Sequence, residues 1–208
     1  MVDVGGEAPR RRIGATDSKT RAKLLDAAEL LMLEEGYAAV TSRRVGRQAG
    51  ISPQLVHYYF RTMDDLFVEV FRRRAEEGIA RFERAMEVNR SLRTIWEYRN
   101  DNAGAAFSLE FAALANHRKT IRTEIAHYAE RFRGLQVHAV EIVLNELGVS
   151  NDVVSPKVLL LALMGMSQFL ALEQGLGVDD GHDEIVAFID RRLTEFEGDR
   201  AGVPLPSP

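Results

Sequence analysis

The run of side chains between Ser52 and Tyr59 has the residue types that hydrogen-bond to a polar, charged surface. Hydroxyl, amide, imidazole and phenol groups supply both donors and acceptors there; they belong to Ser52, Gln54, His57, Tyr58 and Tyr59. Two arginines, Arg43 and Arg44, precede the run. An arginine in the major groove of DNA can donate two hydrogen bonds to guanine, which is worth about 1–3 kcal/mol of base discrimination. These residues predict recognition of a nucleic acid if short helices present them together.

The residues around this run have the pattern of a helix-turn-helix. Helical spacing predicts two short helices, over residues 42–49 and 53–59. Gly46 is small enough for a steep helix crossing, and Gly50 can take the positive φ that the turn requires. Ser52-Pro53 suits a helix start, because the hydroxyl can cap the helix and proline fits the first turn. Apolar residues have the spacing that fastens both helices to a preceding one; they are Val45, Ala49, Ile51 and Val56.

Helical periodicity continues through the rest of the chain, and the sequence shows no convincing alternation of a strand. A first helix is predicted over 18–35, and a fourth opens at Thr62, where Thr-Met-Asp-Asp is similar to a capping box. Ser91 is expected to cap a fifth helix, and Gly104 to separate it from a sixth. The later helices are predicted over 92–102, 106–116, 120–147, from Ser155-Pro156 onward, and 183–197. The predicted fold class is all-α, with about nine helices.

Composition limits the classes of protein to which the chain can belong. It has 208 residues and no cysteine, which excludes a disulfide framework and thiolate metal sites. Residues 1–12 contain two acids and no apolar run, unlike a signal peptide. The most apolar stretch, Val158–Leu172, has 12 apolar residues in 15, fewer than the about 18–20 that span a bilayer. We therefore expect a buried helix there, no membrane partner and a cytoplasmic protein.

The net charge of −4 is unevenly distributed along the chain. Residues 1–62 hold ten Arg and Lys against seven Asp and Glu, whereas the remainder holds 17 against 24. Only a local positive surface is needed to neutralise phosphates, so the excess of +3 in the first segment is compatible with DNA binding. The excess is mild and carries little weight by itself.

The window from residue 18 to 70 resembles the DNA-binding domain of the TetR/AcrR family of regulators. The resemblance lies in the pair Ala27-Ala28, Gly36-Tyr37 at the end of the first helix, and Thr41 before the second. It continues in the turn Ala49-Gly50-Ile51-Ser52, the aromatic end Tyr58-Tyr59-Phe60 of the third helix, and Leu66 in the fourth. It covers about a third of the chain. The remainder resembles the family in helix number, order and length.

Matched position by position, the resemblance implies a set of DNA contacts. It implies phosphate contacts from Thr41 and Ser42, base recognition by Arg43, and base or sugar contacts from the third helix. The candidate DNA-binding residues are Thr41, Ser42, Arg43, Ser52, Pro53, Gln54, Leu55, His57 and Tyr58. Two positions depart from the family pattern: His57 replaces a tyrosine that contacts phosphate, and Met63 replaces a lysine. Arg61 is expected to replace part of that lysine's charge.

The C-terminal half is rich in aromatic and methionine side chains, which suit either core packing or the wall of a ligand cavity. For any single residue, core packing is the simpler interpretation. For the half as a whole, the resemblance implies a cavity among helices four to eight. The candidate ligand-binding residues are Phe82, Met86, Trp96, Asn100, Phe107, Phe111, Tyr128, Phe132 and Gln168.

The expected organisation is an N-terminal helix-turn-helix DNA-binding domain and a larger helical ligand-binding and dimerisation domain. The expected boundaries are a disordered basic arm over 1–16, the DNA-binding domain over 17–62, the second domain over 63–197, and a disordered tail over 198–208. The segment Arg10-Arg11-Arg12 is either a solvated tail or an arm for the minor groove. The resemblance implies that helices eight and nine of two subunits form a four-helix bundle, and the apolar surface of helix eight supports this.

These features predict a homodimeric transcriptional regulator, a repressor released from a palindromic operator in double-stranded DNA by a small, largely apolar effector. We expect no catalytic residue, cofactor or metal. The motif Glu124-x-x-His127 is similar to half of a di-metal carboxylate site, but the chain has no second copy of it. The alternative is a helical small-molecule-binding protein or enzyme with a vestigial helix-turn-helix.

Overall fold

A computed structural model of the chain describes residues 19–99, 102–150 and 152–198. The expectations for the arm over 1–16, for Arg10-Arg12, for Asn100 and for residues 199–208 of the tail lie outside these residues. The described residues divide into two compact units, the first ending at Val70 and the second starting at Phe71. This division falls inside the fourth helix, beyond the expected boundary between residues 62 and 63.

The first unit contains three helices and the beginning of a fourth. They are α1 (Lys19–Glu35), α2 (Ser42–Ala49), α3 (Pro53–Tyr59) and the part of α4 (Met63–Val88) that ends at Val70. A 3₁₀ turn, Tyr37–Ala39, follows α1 and was not predicted. The second and third helices have the predicted bounds. The class of the described residues is all-α, as the sequence predicts.

The second unit contains the remainder of α4 and five further helices. They are α5 (Leu92–Arg99), α6 (Asn102–His117), α7 (Lys119–Glu146), α8 (Pro156–Gly175) and α9 (His182–Glu197). The prediction that Gly104 separates two helices is wrong, because Gly104 lies in the first turn of α6. The cost of glycine in a helix is the conformational entropy lost when its backbone is ordered, and this cost applies mainly to the helix interior rather than to the first turn.

The predicted helix starts differ in how they are capped. The backbone N–H of Thr62 donates to Asp65 Oδ2 and that of Asp65 donates to Thr62 Oγ1, both over 3.0 Å, so the predicted capping box is present. Ser91 Oγ accepts from the backbone N–H of Thr94 over 3.0 Å, as predicted. Ser52 and Ser155 stand at the N-cap positions of α3 and α8, but their side chains make no capping hydrogen bond. Proline defines those two starts.

The core of the first unit is built by one face of α1 and by apolar residues from the next three helices. On α1 these are Leu24, Leu25, Ala27, Ala28, Leu31 and Met32. Val45 and Val56 are 0% and 1% exposed and come from α2 and α3. Phe60 and Leu66 complete the core, so the fourth helix is fastened to the other three by its first turns.

Gly46 lies where the backbones of α2 and the turn approach each other most closely. A Cβ atom at this position would lie 2.7 Å from the carbonyl oxygen of Ile51 and 3.2 Å from the nitrogen of Pro53. The backbone N–H of Ile51 donates to the carbonyl of Gly46 over 2.8 Å. Gly50 has φ of 67° and ψ of 32°, the left-handed conformation that the turn was predicted to need. The two glycines therefore fix the angle between α2 and α3.

The core of the second unit is a continuous apolar cluster contributed by α4, α5, α7, α8 and α9. Its least exposed members include Trp96, Ile95, Val140, Leu144 and Leu160, each at most 1% exposed. The last residue of α9, Glu197, is 5% exposed, and its carboxylate accepts hydrogen bonds from the backbone N–H groups of Leu92 and Arg93 at the start of α5. The end of α9 is thereby tied to the start of α5.

Helix α8 is longer and less buried than its apolar stretch predicts. It has 20 residues, because the Pro156 start and the polar end at Gly175 extend it beyond Val158–Leu172. By length and composition alone it is the one described helix that could cross a membrane, and 22% of its most apolar window is buried. One face packs in the core through Leu160, Leu163 and Leu170. The expectation of a buried helix therefore holds for one face of α8 only.

Replacing Gly46 tests the close approach of the two helices. We expect Gly46→Ala to lower the free energy of unfolding by about 1–3 kcal/mol, because the new methyl group meets backbone atoms that cannot rotate away. Gly134→Ala is the matched control, because Gly134 is also helical and has open space around it. It should stabilise the chain by about 0.5–1 kcal/mol. Urea titration followed by circular dichroism measures both, and equal effects would contradict this account.

Candidate functional site

The helix-turn-helix presents most of the candidate DNA-binding residues on its surface. Thr41, Arg43, Ser52, Gln54, Leu55, His57 and Tyr58 are exposed, and Ser42 and Pro53 are half-buried. The side chains of Leu55 and Tyr58 are 42% and 43% exposed, which is a large exposed fraction for an apolar and an aromatic side chain. They share the outer side of α3 because Val56 alone points into the core. The structure thus brings the predicted residues to one end of the unit.

The two arginines at the start of α2 have different surroundings. Arg44 donates from Nη2 to the carboxylate of Glu35, at the end of α1, and its backbone N–H donates to Thr41 Oγ1 over 3.3 Å. Arg43 is exposed and has no ion pair among the described residues. Arg44 is therefore used within the unit, whereas the guanidinium of Arg43 is available to a partner.

The aromatic end of α3 divides between surface and core. The rings of Tyr58 and Tyr59 meet edge to face, with centroids 5.1 Å apart. Tyr59 is half-buried, and Phe60 is 2% exposed, as expected for a core residue. The guanidinium of Arg21 lies 5.2 Å from the centre of the Phe60 ring. These contacts hold Tyr58 in a defined position at the surface.

The second unit contains a cavity of about 320 Å³ between α4, α5, α6, α7 and α8. Its aromatic lining consists of Phe71, Tyr98, Phe107, Phe111, Tyr128 and Phe132. Its polar and charged lining consists of Arg74, Arg81, Arg133, Ser108, Gln136, Ser167 and Gln168. The other lining residues are Ala75, Gly78, Ile79, Gly104, Ala105, Ile125, Ala129 and Met164. This composition, mostly apolar with a few polar groups, is that of a small-molecule site.

The aromatic side chains of the cavity form two groups of mutually packed rings. Phe71 lies at the centre of the first, with ring centroids 5.2 Å from Phe111 and 5.7 Å from Tyr128. Tyr98 and Phe132 form the second, with centroids 5.9 Å apart. The hydroxyl of Tyr98 donates to the carbonyl of Gly78 over 2.6 Å, which fixes the ring against α4. Packed rings give the cavity a stiff wall.

Gln136 is the most deeply buried polar side chain of the cavity wall. It is 1% exposed, and its Nε2 has no hydrogen-bond partner among the described residues. A buried amide without a partner costs about 1–3 kcal/mol, so such groups are rare unless a ligand or water completes them. The position of Gln136 in the wall of the cavity therefore indicates where a polar atom of a ligand would bind.

Two groups of ion pairs join α4 to α7 beside the cavity. Arg72 donates to both oxygens of Glu124 over 2.6 and 2.9 Å. The carboxylate of Glu76 accepts from Arg131 and, over 2.9 Å, from the hydroxyl of Tyr128. The hydrogen bond from Arg131 lowers the pKa of Glu76, and the one from Tyr128 lowers it further. Burial and the bond to Glu76 raise the pKa of Tyr128, so its phenol stays protonated as a donor.

Of the candidate ligand-binding residues, five line the cavity. They are Phe107, Phe111, Tyr128, Phe132 and Gln168. Phe82, Met86 and Trp96 lie in the core cluster and are absent from the lining residues. The Phe82 ring packs against two lining rings, with centroids 5.2 Å from Tyr98 and 5.4 Å from Phe132. Sequence reasoning missed Tyr98, Gln136 and the three arginines. The sequence does not show whether a single polar residue of a helix faces a cavity or faces solvent.

Glu124 and His127 do not form a metal site in the described structure. Glu124 is paired with Arg72, and His127 is exposed. Among the described residues, no group of three or more His, Asp or Glu side chains could hold a metal ion.

Helices α8 and α9 each expose a row of large apolar side chains. On α8 and just beyond it the row contains Val158, Leu161, Phe169, Leu172 and Leu176. On α9 it contains Ile185, Phe188 and Phe196. Spacings of three, four and eight residues place each row along one side of its helix. We call these two rows together the apolar stripe; exposed rows of large apolar side chains are typical of interaction sites.

Comparison with known proteins agrees with this geometry. Residues 24–70 match the family model of bacterial regulatory proteins of the tetR family. A stretch of 72 residues is 35% identical to the HTH-type transcriptional regulator BetI of Rhizobium meliloti (strain 1021). That match covers 35% of this chain and 30% of BetI, so the chain spans about a third of the curated relative it matches.

Solved structures share the fold of nearly the whole chain. One is a protein from Saccharomonospora viridis, described as a transcriptional regulator in complex with choline, with a TM-score of 0.72 and 18% identity over 85% of this chain and 98% of that one. Another is a TetR-family regulator from Rhodococcus sp., with a TM-score of 0.65 and 16% identity over 84% and 98%. Residues 24–70 therefore match the DNA-binding segment of tetR-family regulators, and the chain shares the helical fold of these solved structures.

Proposed function

We propose that this protein is a cytoplasmic, ligand-responsive repressor that binds a palindromic operator as a homodimer and releases it when a small molecule fills the cavity. The observation that carries the DNA-binding part is the exposure of Arg43, which has no ion pair among the described residues, together with that of Gln54 and Tyr58 on the fixed pair of helices. The remaining candidate contacts, Thr41, Ser42, Ser52, Pro53, Leu55 and His57, lie around them. The structural neighbour in complex with choline supports a response to a small ligand.

Helix α4 offers a route by which the cavity could affect DNA binding. It is continuous from Met63 to Val88, contributes Leu66 and Val70 to the core of the first unit, and contributes Gly78 and Ile79 to the cavity wall of the second. A ligand that fits only one position of this helix favours that position. A coupling of about 1–3 kcal/mol between the two events would change operator affinity about 5–150-fold.

The apolar stripe supports the homodimer. It lies on the helices expected to form a four-helix bundle with a second copy of the chain, and burial of such side chains is worth about 1.5–3 kcal/mol each. A self-complementary contact of this kind places two helix-turn-helix units about a twofold axis. The operator would then have two half-sites about one helical turn apart. The same contact accounts for the apolar side of α8 without a membrane.

A gel shift at two salt concentrations separates a regulator from a ligand carrier or enzyme with a vestigial helix-turn-helix. The probe is the DNA upstream of the protein's own gene, with random DNA of the same length as the control. A regulator should prefer the upstream DNA and lose affinity steeply as salt rises, because phosphate contacts release counterions. Equal, weak binding to both DNAs would favour the carrier or enzyme.

The first prediction concerns Arg43. Arg43→Ala should relax the preference for one base pair in each half-site and cost about 1–3 kcal/mol on the preferred operator, since direct base contacts carry that discrimination. Ser42→Ala is the comparison variant, because a phosphate contact affects all sequences alike. Binding is measured on the operator, on single-base variants and on random DNA. Equal losses on all of them for Arg43→Ala would refute its role in base recognition.

The second prediction concerns the effector. A small molecule that co-purifies with the native protein, identified by mass spectrometry and added back, should weaken operator binding about 5–150-fold while the far-UV circular dichroism stays unchanged. Fluorescence anisotropy with labelled operator measures the change. Unchanged affinity at saturating ligand would contradict the proposed response.

The third prediction concerns the dimer. Phe169→Lys should shift the protein to a monomer, because it places a charge in the centre of the apolar stripe, where burial of an unpaired charge is costly. Val153→Lys is the matched control, because Val153 is 77% exposed but lies in the loop before α8. Analytical ultracentrifugation gives the molar mass. A dimer that persists in Phe169→Lys would place the contact elsewhere.

A further inference from the structure

We propose that the cavity binds a small organic anion, an apolar carboxylate, and discriminates against neutral and cationic molecules of the same size. This rests on the proposed function only in taking the cavity to be a ligand site. The observations that carry it are the charges of the lining residues, the position of the arginines relative to the rings, and the unpartnered amide of Gln136.

Among the described residues, the charged side chains that line the cavity all have one sign. They are Arg74, Arg81 and Arg133, and no described aspartate or glutamate is among the lining residues. Arg133 is exposed at the edge of the cavity and has no ion pair among the described residues. A guanidinium donates two parallel hydrogen bonds to a carboxylate, and such charge-assisted bonds are about twice as strong as neutral ones. The wall therefore favours a carboxylate near Arg133.

Aromatic rings can form a cage for a quaternary ammonium ion, but two of the six rings that line the cavity, Phe107 and Tyr98, already bind arginines of the protein. The guanidinium carbon of Arg74 lies 5.7 Å from the centre of the Phe107 ring, and that of Arg81 lies 5.1 Å from the centre of Tyr98. A cation is attracted by the face of a ring, and one face of each of these two rings is already occupied by a guanidinium. A cationic ligand would also be repelled by the same arginines.

Gln136 gives the ligand a second polar contact inside the cavity. Its Nε2 is a buried donor without a partner among the described residues, and a carboxylate or carbonyl oxygen is the acceptor that it lacks. Amides and guanidinium groups both donate, so Gln136 and Arg133 can act on the same ligand class. Both belong to α7, three residues apart, which places them on the same side of that helix.

Size and apolar character limit the ligand further. A cavity of 320 Å³ is about twice the roughly 150 Å³ that takes up one benzene, so it suits a molecule of about 10–15 non-hydrogen atoms. Phe107 and Phe111 are 4% and 1% exposed, and they offer an apolar environment away from solvent. The ligand class is therefore a short-chain or aryl-substituted carboxylic acid with its apolar part against these rings.

The test compares isosteric pairs of probes on the purified full-length protein. The pairs are octanoate with octanamide and 4-phenylbutyrate with 4-phenylbutyramide, and choline is the cationic probe. Isothermal titration calorimetry should show at least about tenfold tighter binding of one carboxylate than of its amide, because only the carboxylate gains a charge-assisted pair with Arg133. Choline should bind more weakly than that carboxylate.

Variants assign the preference to residues. Arg133→Gln should lower carboxylate affinity to that of the amide and leave amide binding unchanged. Arg84→Gln is the matched control, because Arg84 is an exposed arginine of α4 that does not line the cavity. Gln136→Leu should lower carboxylate affinity while the melting temperature of the ligand-free protein stays the same or rises, since the buried Nε2 gives up no hydrogen bond within the described protein. If the carboxylate affinity and the melting temperature both fell, Gln136 would be shown to stabilise the fold rather than to bind the ligand.

Several outcomes would overturn the proposal. They are dissociation constants above about 1 mM for every carboxylate, an amide or choline binding as tightly as its carboxylate, and a preference that survives in Arg133→Gln. Operator binding is measured on the same samples. Carboxylate binding without operator binding would refute the regulator and leave the anion site, whereas operator release by choline alone would refute the anion site and leave the regulator.

Discussion

The contact between Gly46 and the backbone of Ile51 and Pro53 is the constraint on which the candidate recognition surface depends. Two helices of eight and seven residues bury too little surface to fix their own crossing angle. A backbone approach that excludes even a methyl group, together with the left-handed turn at Gly50, fixes that angle instead. The outward direction of Arg43 and Tyr58 follows from this geometry. A larger residue at position 46 would therefore change the recognition surface without touching any residue that belongs to it.

The cavity illustrates a compromise between stability and binding. A helical core of this size could close completely with apolar side chains, yet its wall holds a buried amide and three arginines. The buried amide of Gln136 and the half-buried Arg74 and Arg81 lower the stability that apolar packing would provide. Cation–π contacts of Arg74 with Phe107 and of Arg81 with Tyr98 offset part of this loss of stability. The amide Nε2 of Gln136 has no partner among the described residues that would offset its own. A loss of folding stability that the protein itself does not offset is typical of binding sites.

Helix α8 has two apolar faces with different roles. One packs in the core through Leu160, Leu163 and Leu170, and the other carries Phe169 and Leu172 at the surface. Its composition satisfies the length and hydropathy of a membrane span, and the proposed contact with a second copy of the chain would cover the same surface. Hydropathy alone does not show whether a helix packs on one side or on two. The positions of the buried and exposed apolar residues along α8 show that one side packs in the core and the other lies at the surface.

The sequence by itself determined the elements of the first unit. Gly46, Gly50 and Pro53 restrict the backbone locally, so the bounds of α2 and α3 follow from residue type, and the capping box at Thr62 follows from its spacing. Turns and helix caps depend on residues that are close in sequence, so they can be predicted without a structure. The prediction that Gly104 separates two helices was wrong because a glycine is as acceptable in a first helical turn as in a loop.

Only the tertiary structure decided which residues of the second unit line the cavity. Phe82, Met86 and Trp96 have the same character as Phe107 and Phe132, yet the first three lie in the core cluster and the last two line the cavity wall. Gln136 and Arg133 became noticeable only when their surroundings were known. The physical reason is that a helical period shows which side of a helix is apolar, whereas the packing of five helices decides whether that side meets another side chain or a space.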